Sequence, residues 1–265
     1  MTDPIVRWAG GKRALLPTLT SLLPADYRTR RHVEPFAGGA ALFFALEPES
    51  AVLMDANREL INTYSAVRDD VTDVIDALWL HWRPSREGAE YYYEVRELFN
   101  GCNYGGEDRA AAFLYLNRTC FNGLYRVNRM GEFNVPFGKR KFEVDEDNLR
   151  AASSLLFNAR LAACDFERVL DFARPGDFVY LDPPYDGAFG SYTKAGFTIE
   201  DQSRLARVFV HLDMRGCKVM LSNANTPLIR ELYSAYDVTE VTAPRRIRPD
   251  AERQATEVVV KNYAV

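Results

Sequence analysis

Phe178-Val-Tyr-Leu-Asp-Pro-Pro-Tyr185 decides how this chain is read. Val179 and Leu181 favour extended backbone, and Pro183 and Pro184 forbid both helix and ladder pairing, so a strand ends with Asp182 at its carboxyl edge. In open α/β sheets that edge is where ligands bind. An ionised Asp182 offers only acceptors, Pro183 adds a carbonyl without an N–H, and Tyr185 offers a flat π face. An amino group on a flat heterocycle fits this set: its hydrogens meet the acceptors while its ring stacks on Tyr185. Four-residue strings such as Asp-Pro-Pro-Tyr arise by chance in roughly one chain in a hundred of this length. The motif therefore carries weight only if the rest of the chain supplies a cofactor pocket and a hold on nucleic acid.

Upstream, His32-Val-Glu-Pro-Phe-Ala-Gly-Gly-Ala-Ala-Leu-Phe-Phe-Ala-Leu46 reads as strand, glycine turn and apolar helix, the first βα unit of a nucleotide-type fold. A GxGxxG phosphate fingerprint is absent. Ala51 to Met54 is a short strand ending in Asp55, about where such folds place an acid on a ribose hydroxyl pair. A Gly-Gly turn followed by a strand-end acid suits a nucleoside cofactor without a pyrophosphate, so S-adenosylmethionine fits better than NAD. The alternative for Asp55 is the N-cap of a helix beginning near Arg58. Arg7-Trp-Ala-Gly-Gly-Lys12 is not a phosphate loop, because Val6 stands where the first glycine is needed and Arg13 where Ser or Thr should follow the lysine. It reads either as a flexible turn before a helix over about Ala14 to Leu23, or as a turn that lets backbone and Lys12 approach a ligand closely.

Downstream of Glu59 the βα alternation stops. Helical periodicity runs from Leu60 to Leu80 and again from Ala110 to Leu116, separated by the polar, glycine-bearing stretch Arg83 to Glu107. In the following Asn117 to Lys141, Leu124-Tyr-Arg-Val127 and Phe133-Asn-Val135 flank a turn at Asn128 to Gly131, the pattern of a basic, aromatic β-hairpin. Residues 58–149 are read as an inserted domain, mainly helical with that hairpin. It interrupts a catalytic domain made of residues 1–57 and 150–265. From Arg150 the α/β rhythm returns with a helix to about Phe157, a strand Ala159 to Cys164 ending at Asp165, a helix to Ala173 and the central strand. A Gly-rich, aromatic loop from Asp186 to Thr198 follows, of the kind that closes over substrate. Then come a helix from Ile199 to about Leu212, a strand Lys218 to Ser222 and a helix Thr226 to Tyr236. Strands Asp237 to Thr242 and Glu257 to Tyr263 are spaced to pair antiparallel.

With 265 residues, 47% of them hydrophobic, the chain can bury a full core. Its apolar runs fall far short of a membrane span, and the start, with Asp3, Pro4 and Arg7, lacks a signal-peptide core; the expectation is a soluble cytoplasmic protein without a membrane partner. Cys102, Cys120, Cys164 and Cys217 form no CxxC pair, and His32, His81 and His211 show no ligand spacing, so neither a disulfide framework nor a metal site is expected. The net charge is −4, yet Arg118, Arg126, Arg129, Lys139, Arg140 and Lys141 oppose only Glu132 between Arg118 and Lys141. Distribution matters more than the sum for nucleic-acid binding. A second basic cluster is Arg245, Arg246 and Arg248, and a third lies in the first 31 residues.

Arg7-Trp-Ala-Gly-Gly-Lys12, Glu34-Pro-Phe-Ala-Gly-Gly-Ala40, strand-end Asp55, the block from Asn122-Gly-Leu-Tyr-Arg126 to Phe133-Asn-Val-Pro-Phe-Gly138, and Asp182-Pro-Pro-Tyr185 occur in that order. Together they resemble the Dam family, the D12 class of DNA N6-adenine methyltransferases, over nearly the full length. The resemblance implies a Rossmann-like α/β sheet with helices on both faces and an antiparallel C-terminal strand pair, a helical insertion carrying the target-recognition hairpin, and methyl transfer from S-adenosylmethionine to a flipped adenine. It places Trp8, Lys12, Phe36, Asp55, Asp165, Phe166 and Asp182 around the cofactor and gives catalysis to Asp182, Pro183 and Tyr185, with no metal. Double-stranded DNA, most simply at GATC, would be read by Arg126 on a guanine, Leu124 and Pro136 on a thymine methyl, and Arg7 on the outer guanine. Phe121 and Asn122 would support the DNA where the base leaves, Asn128 would sit in the recognition turn, and Lys139 and Arg140 would meet phosphates. A monomer is expected. Two departures stand out: Ala40 replaces the last glycine of the family's FxGxG pattern, which a turn residue of negative φ tolerates, and Arg7 replaces a frequent lysine. Competing readings are methylation of cytosine N4, RNA adenine or a protein glutamine, a DNA-binding regulator that has lost catalysis, and a metal nuclease. Intact Asp182 and Tyr185 disfavour the regulator, and the lack of a convergent acid cluster disfavours the nuclease.

Overall fold

In a computed structural model of the chain, which describes residues 2–187, 197–242 and 256–264, the strands are β1 (His32–Glu34), β2 (Ala51–Asp55), β3 (Ala159–Ala163), β4 (Phe178–Leu181), β5 (Lys218–Ala224), β6 (Asp237–Thr242) and β7 (Thr256–Lys261). Two-residue alternation along them sets the layers. Phe178 and Tyr180 of β4 pack with Leu15, Leu19 and Leu42 on one face, while Val179 and Leu181 pack with Leu205, Phe209 and Leu212 on the other. All four are buried, as a strand covered on both sides requires. In β2, Val52 and Met54 share the face of Val179, whereas Ala51 and Leu53 lie under the helices that follow β2 in the chain.

The described strands form one sheet of order β3-β2-β1-β4-β5-β7-β6. β1 to β5 are parallel, and β7 runs antiparallel between β5 and β6, so the expected C-terminal pair is present. The order reverses between β1 and β4, where His32 lies opposite Phe178. The flanking helices include α1 (Leu16–Ser21), α2 (Ala41–Leu46), α3 (Arg58–Asp69), α4 (Val71–Trp82), α5 (Ala89–Asn100), α6 (Gly106–Thr119), α7 (Glu146–Leu156), α8 (Val169–Phe172), α9 (Ile199–Met214) and α10 (Pro227–Leu232). None of the described helices is long and apolar enough to cross a membrane.

Several local expectations are corrected. The periodicity from Leu60 to Leu80 is two helices, because Asp70 ends α3 and its carboxylate accepts the Asp73 N–H to cap α4. The stretch read as a polar separator contains α5, whose buried Tyr92, Val95 and Phe99 form a stripe at helical spacing. α6 is buried almost all round, so it shows no amphipathic signature, and its side chains join Ala51 and Leu53 in a hydrophobic core continuous with one face of the sheet. The hairpin exists as two isolated antiparallel bridges, Cys120 to Phe137 and Val127 to Phe133, rather than a ladder. Ala40 has φ +50 and ψ 39, a left-handed conformation that costs a non-glycine residue about 1–2 kcal/mol, so the negative φ that would make alanine free of strain there is not met. Most of the loop after Asp186, and Arg245 to Arg253, lie outside the described residues.

Candidate active site and nucleic-acid interface

At the carboxyl ends of β1 and β4, where the strand order reverses, lies a cleft of about 1000 Å³. Asp182, Pro183 and Tyr185 line it, and so do Trp8, Lys12, Phe36, Asp55, Asp165 and Phe166, although these nine residues come from five separate stretches of sequence. The sheet brings them together because β1, β2, β3 and β4 all deliver their carboxyl ends to the same edge.

The turn after β4 is fastened from behind. The Pro184 carbonyl accepts from Gln202 Nε2 at 3.1 Å, Gln202 Oε1 accepts from Asn223 Nδ2 at 3.0 Å, and Asn223 Oδ1 accepts the Asp186 N–H at 3.1 Å. Gln202 and Asn223 are buried, so these bonds stand without competition from water. The Tyr185 hydroxyl donates to Glu257 Oε2 on β7 at 2.8 Å, and burial raises its pKa so far that it remains a neutral phenol. Two acceptors stay unclaimed by hydrogen bonds from described residues: Asp182 Oδ1 and the Pro183 carbonyl. Lys12 Nζ lies 2.7 Å from Asp182 Oδ1 as an ion pair. Burial pushes the Asp182 carboxyl up to about 6; Lys12 opposes that rise, and Glu257 and Glu34 add to it.

The other half of the cleft combines acids with aromatic faces. Asp55 Oδ2 accepts the Gly38 N–H at 2.9 Å and Oδ1 accepts the Asn57 N–H at 2.8 Å, while burial raises its pKa against these two bonds. The cap of α3 is Asn57, whose side chain accepts from Leu60 N, so Asp55 is not spent on the helix. Gly38 has φ +47, and a Cβ there would stand 2.8 Å from Trp8 Cδ1; the glycine is what admits the indole. Trp8 in turn stacks on Tyr125 at 5.6 Å and 19°. Phe36 stacks on Phe166 at 5.2 Å, with Phe197 edge-on to Phe36 at 5.9 Å. Arg204 lies 4.8 Å over the Phe166 ring and pairs with Asp165 at 2.8 Å. Among the described residues no three His, Cys, Asp or Glu converge as metal ligands.

The segment from Phe121 to Lys141 forms the opposite wall. Tyr125, Val127 and Gly131 face the cleft, while Arg126, Phe121, Asn122 and Pro136 are exposed and Leu124 is half-buried. Arg126 Nε donates to Asn134 Oδ1 at 2.7 Å, which holds the guanidinium against the facing limb of the hairpin. Asn128 accepts the Met130 and Glu132 N–H groups and donates to Glu132 Oε2, so its side chain fastens the turn. Lys139 and Arg140 are exposed, but Arg118 of the same basic run turns inward and donates to the Ile5 carbonyl at 3.2 Å. The Arg7 backbone is clamped by both amide atoms of Asn117, at 2.7 and 2.8 Å, and the Arg7 side chain lies over Gly123.

Sequence reasoning missed Gln202, Glu257 and Phe197. Only Glu257 left a signal, as an acid opening the apolar run Val258-Val-Val260. Gln202 sits on a helix face that reads as ordinary, and Phe197 in a loop without periodicity.

A methyltransferase-type sheet with acids and aromatic rings at its switch point, faced by a basic segment, defines the class. Residues 8–247 match the family described as D12 class N6 adenine-specific DNA methyltransferase, and the chain belongs to that family of adenine-specific DNA methyltransferases. It is 40% identical to the type II methyltransferase M1.LlaDCHI of Lactococcus lactis subsp. cremoris, covering 98% of this chain and 95% of that one. It is 37% identical to the type II methyltransferase M.MjaIII of Methanocaldococcus jannaschii, over 98% and 99% of the two chains. To the retron Ec67 DNA adenine methylase of Escherichia coli it is 38% identical, over 98% and 91%.

Proposed function

We propose that the chain, acting as a monomer, transfers the methyl group of S-adenosylmethionine to N6 of an adenine flipped out of double-stranded DNA, with GATC as its target. The observation that carries this reading is the pair of acceptors, Asp182 Oδ1, which meets only the Lys12 ion pair, and the Pro183 carbonyl, beside the Tyr185 ring in the cleft. The residues present also suit the cofactor. Each Asp55 oxygen accepts one backbone N–H and keeps a lone pair for a ribose hydroxyl, and Phe36, Phe166 and Phe197 suit an adenine face. Trp8, Lys12 and Asp165 complete the wall. S-adenosylmethionine supplies a methyl group already activated on a sulfonium.

The target amino nitrogen is paired and shielded inside the duplex, so the base has to leave the stack. Asp182 and the Pro183 carbonyl then accept its two hydrogens and aim the nitrogen lone pair at the methyl, while Tyr185, fixed through its hydroxyl by Glu257, stacks on the ring. Alignment is the main source of rate, and no strong base has to act first. On the DNA, Arg126 matches guanine O6 and N7, and Leu124 and Pro136 match a thymine methyl. Arg7 takes the outer guanine, Phe121 and Asn122 fill the space the base leaves, Asn128 keeps the turn in shape, and Lys139 and Arg140 meet phosphates.

The test is transfer of labelled methyl from S-adenosylmethionine to methylation-free DNA, followed by nucleoside analysis and long-read mapping. N6-methyladenine confined to GATC is expected. Methylcytosine would remove the adenine assignment, and a map centred on another tetramer would remove GATC.

A further inference from the structure

We infer that Lys12 is a positioning residue for Asp182: in the DNA-free protein its ammonium occupies the seat of the target amino group, and it yields that seat to the incoming base. The inference rests on the reading that the base enters between Asp182 and Tyr185. Lys12 makes two of the three contacts that reading assigns to the base, standing 2.7 Å from Asp182 Oδ1 and 4.7 Å over the centroid of the Tyr185 ring. Stacked rings have centroids about 4.5–7 Å apart, so Nζ already holds the volume a stacked adenine needs. The side chain is only 7% exposed, which is rare for a lysine and requires compensation. That compensation is Asp182, the Tyr185 face and the Gly10 carbonyl, to which Nζ donates at 2.7 Å.

Gly10 has φ +79 and nothing within 4 Å of where a Cβ would stand, so the turn before Lys12 is free of packing on that side. Electrostatics explains why a cation rather than an empty space waits there. Asp182 is faced by Lys12, Glu34, Glu257, Tyr180 and Tyr185, and of these only Lys12 favours the ionised carboxylate. Without the ammonium, the buried acid would take up a proton and lose the acceptor that the amino group requires. When the base arrives, its N–H donors replace those of the ammonium.

The test uses a duplex carrying the mapped methylation site, with wild type, Lys12→Met and Lys12→Arg across about pH 5 to 9 at saturating cofactor. For wild type, kcat/KM for DNA should fall as the pH drops through about 6, because a carboxylate with a raised pKa is protonated there. In Lys12→Met that limb should move up by about one pH unit or more, and Lys12→Arg should restore it. The limb of kcat, which reports the DNA complex, should stay where it is, since the ammonium has already left. Limbs that move together would show that Lys12 remains beside Asp182, and limbs that both stay would reduce it to a cofactor contact; either result overturns the inference. Lys12→Gln replaces Lys12→Met if the latter does not fold. As a readout without cofactor, 2-aminopurine at the methylated position should fluoresce more brightly in the Lys12→Met complex than in the wild-type complex. Equal or weaker fluorescence would count against displacement. Failure of wild type to methylate any DNA would instead remove the functional reading.

Discussion

The Asp182 to Tyr185 turn and the Phe121 to Lys141 segment face each other across the cleft and are held in different ways. Gln202, Asn223 and Glu257, all buried, fasten the turn from behind and from the side. The Phe121 to Lys141 segment is held mainly along one face, where Tyr92 and Arg96 of α5 donate to the Val135 carbonyl and Asn100 bonds both backbone groups of Phe133, with Trp8 stacked on Tyr125 beside the cleft. Its other face displays Arg126, Met130 and Pro136 to solvent. Rate demands that acceptors be fixed to a fraction of an ångström, which buried bonding on several sides supplies. Reading a base edge demands a displayed side chain on a supported backbone, which one-sided anchoring supplies.

The difference can be broken most sharply at Asp182. Asp182→Ala should lower turnover by about 100-fold or more while leaving the protein folded, because the alignment of the amino group is lost. Wild-type turnover in a folded variant would show that the strand edge is not where chemistry occurs. Asp55→Ala should weaken cofactor binding by about ten- to a hundredfold in calorimetry, the loss of charge-assisted bonds to a ribose. An unchanged dissociation constant would confine Asp55 to bracing Gly38 and Asn57. Arg126→Ala should cost about 1–3 kcal/mol of discrimination at one base pair, seen as a degenerate outer position in a methylation map, with stability changed by less than about 0.5 kcal/mol. A map equally strict but fainter would make Arg126 a phosphate contact.

On the buried side, Gln202→Leu leaves the Pro184 carbonyl and Asn223 Nδ2 without partners. It should cost about 1–3 kcal/mol in denaturant unfolding and lower the rate as well, a pairing of losses that Arg126→Ala should not show. The smallest expected effect is at Ala40. Glycine there relieves about 1–2 kcal/mol of left-handed strain but removes a buried methyl worth about 0.8 kcal/mol. A net stabilisation of about 0.5 kcal/mol should appear as a slightly raised unfolding midpoint.

The same contrast governs what the sequence disclosed. The strand edge was legible because prolines and a terminal acid are local signals, and every cofactor-side residue inferred from the motifs lines one cleft. The fastening behind it was not, because Gln202 and Glu257 act across the sheet from ordinary positions. α5 escaped because Gly88 and surrounding charges masked a stripe that only Tyr92, Val95 and Phe99 define. Arg118 reads as part of a basic surface until the Ile5 carbonyl captures it, a contact between positions too far apart for any pattern to show. At Ala40 the sequence misleads, since alanine is found overwhelmingly at negative φ and here is held against that preference between the glycine turn and α2.

The stack of Trp8 on Tyr125 bears on transplantation. A Phe121 to Lys141 segment borrowed from a relative would have to bring an aromatic ring at position 125, or the cleft wall that Trp8 and Tyr125 share would open. It would also have to keep glycine at 123, where a Cβ would sit 2.6 Å from Arg7 Cβ, and at 138, where one would sit 2.4 Å from the Cys120 carbonyl oxygen. Exchange of specificity between such proteins is therefore constrained at three positions by contacts within the protein itself. A graft that respects them should keep its cofactor affinity, while one that ignores them should lose it before any question of sequence preference arises.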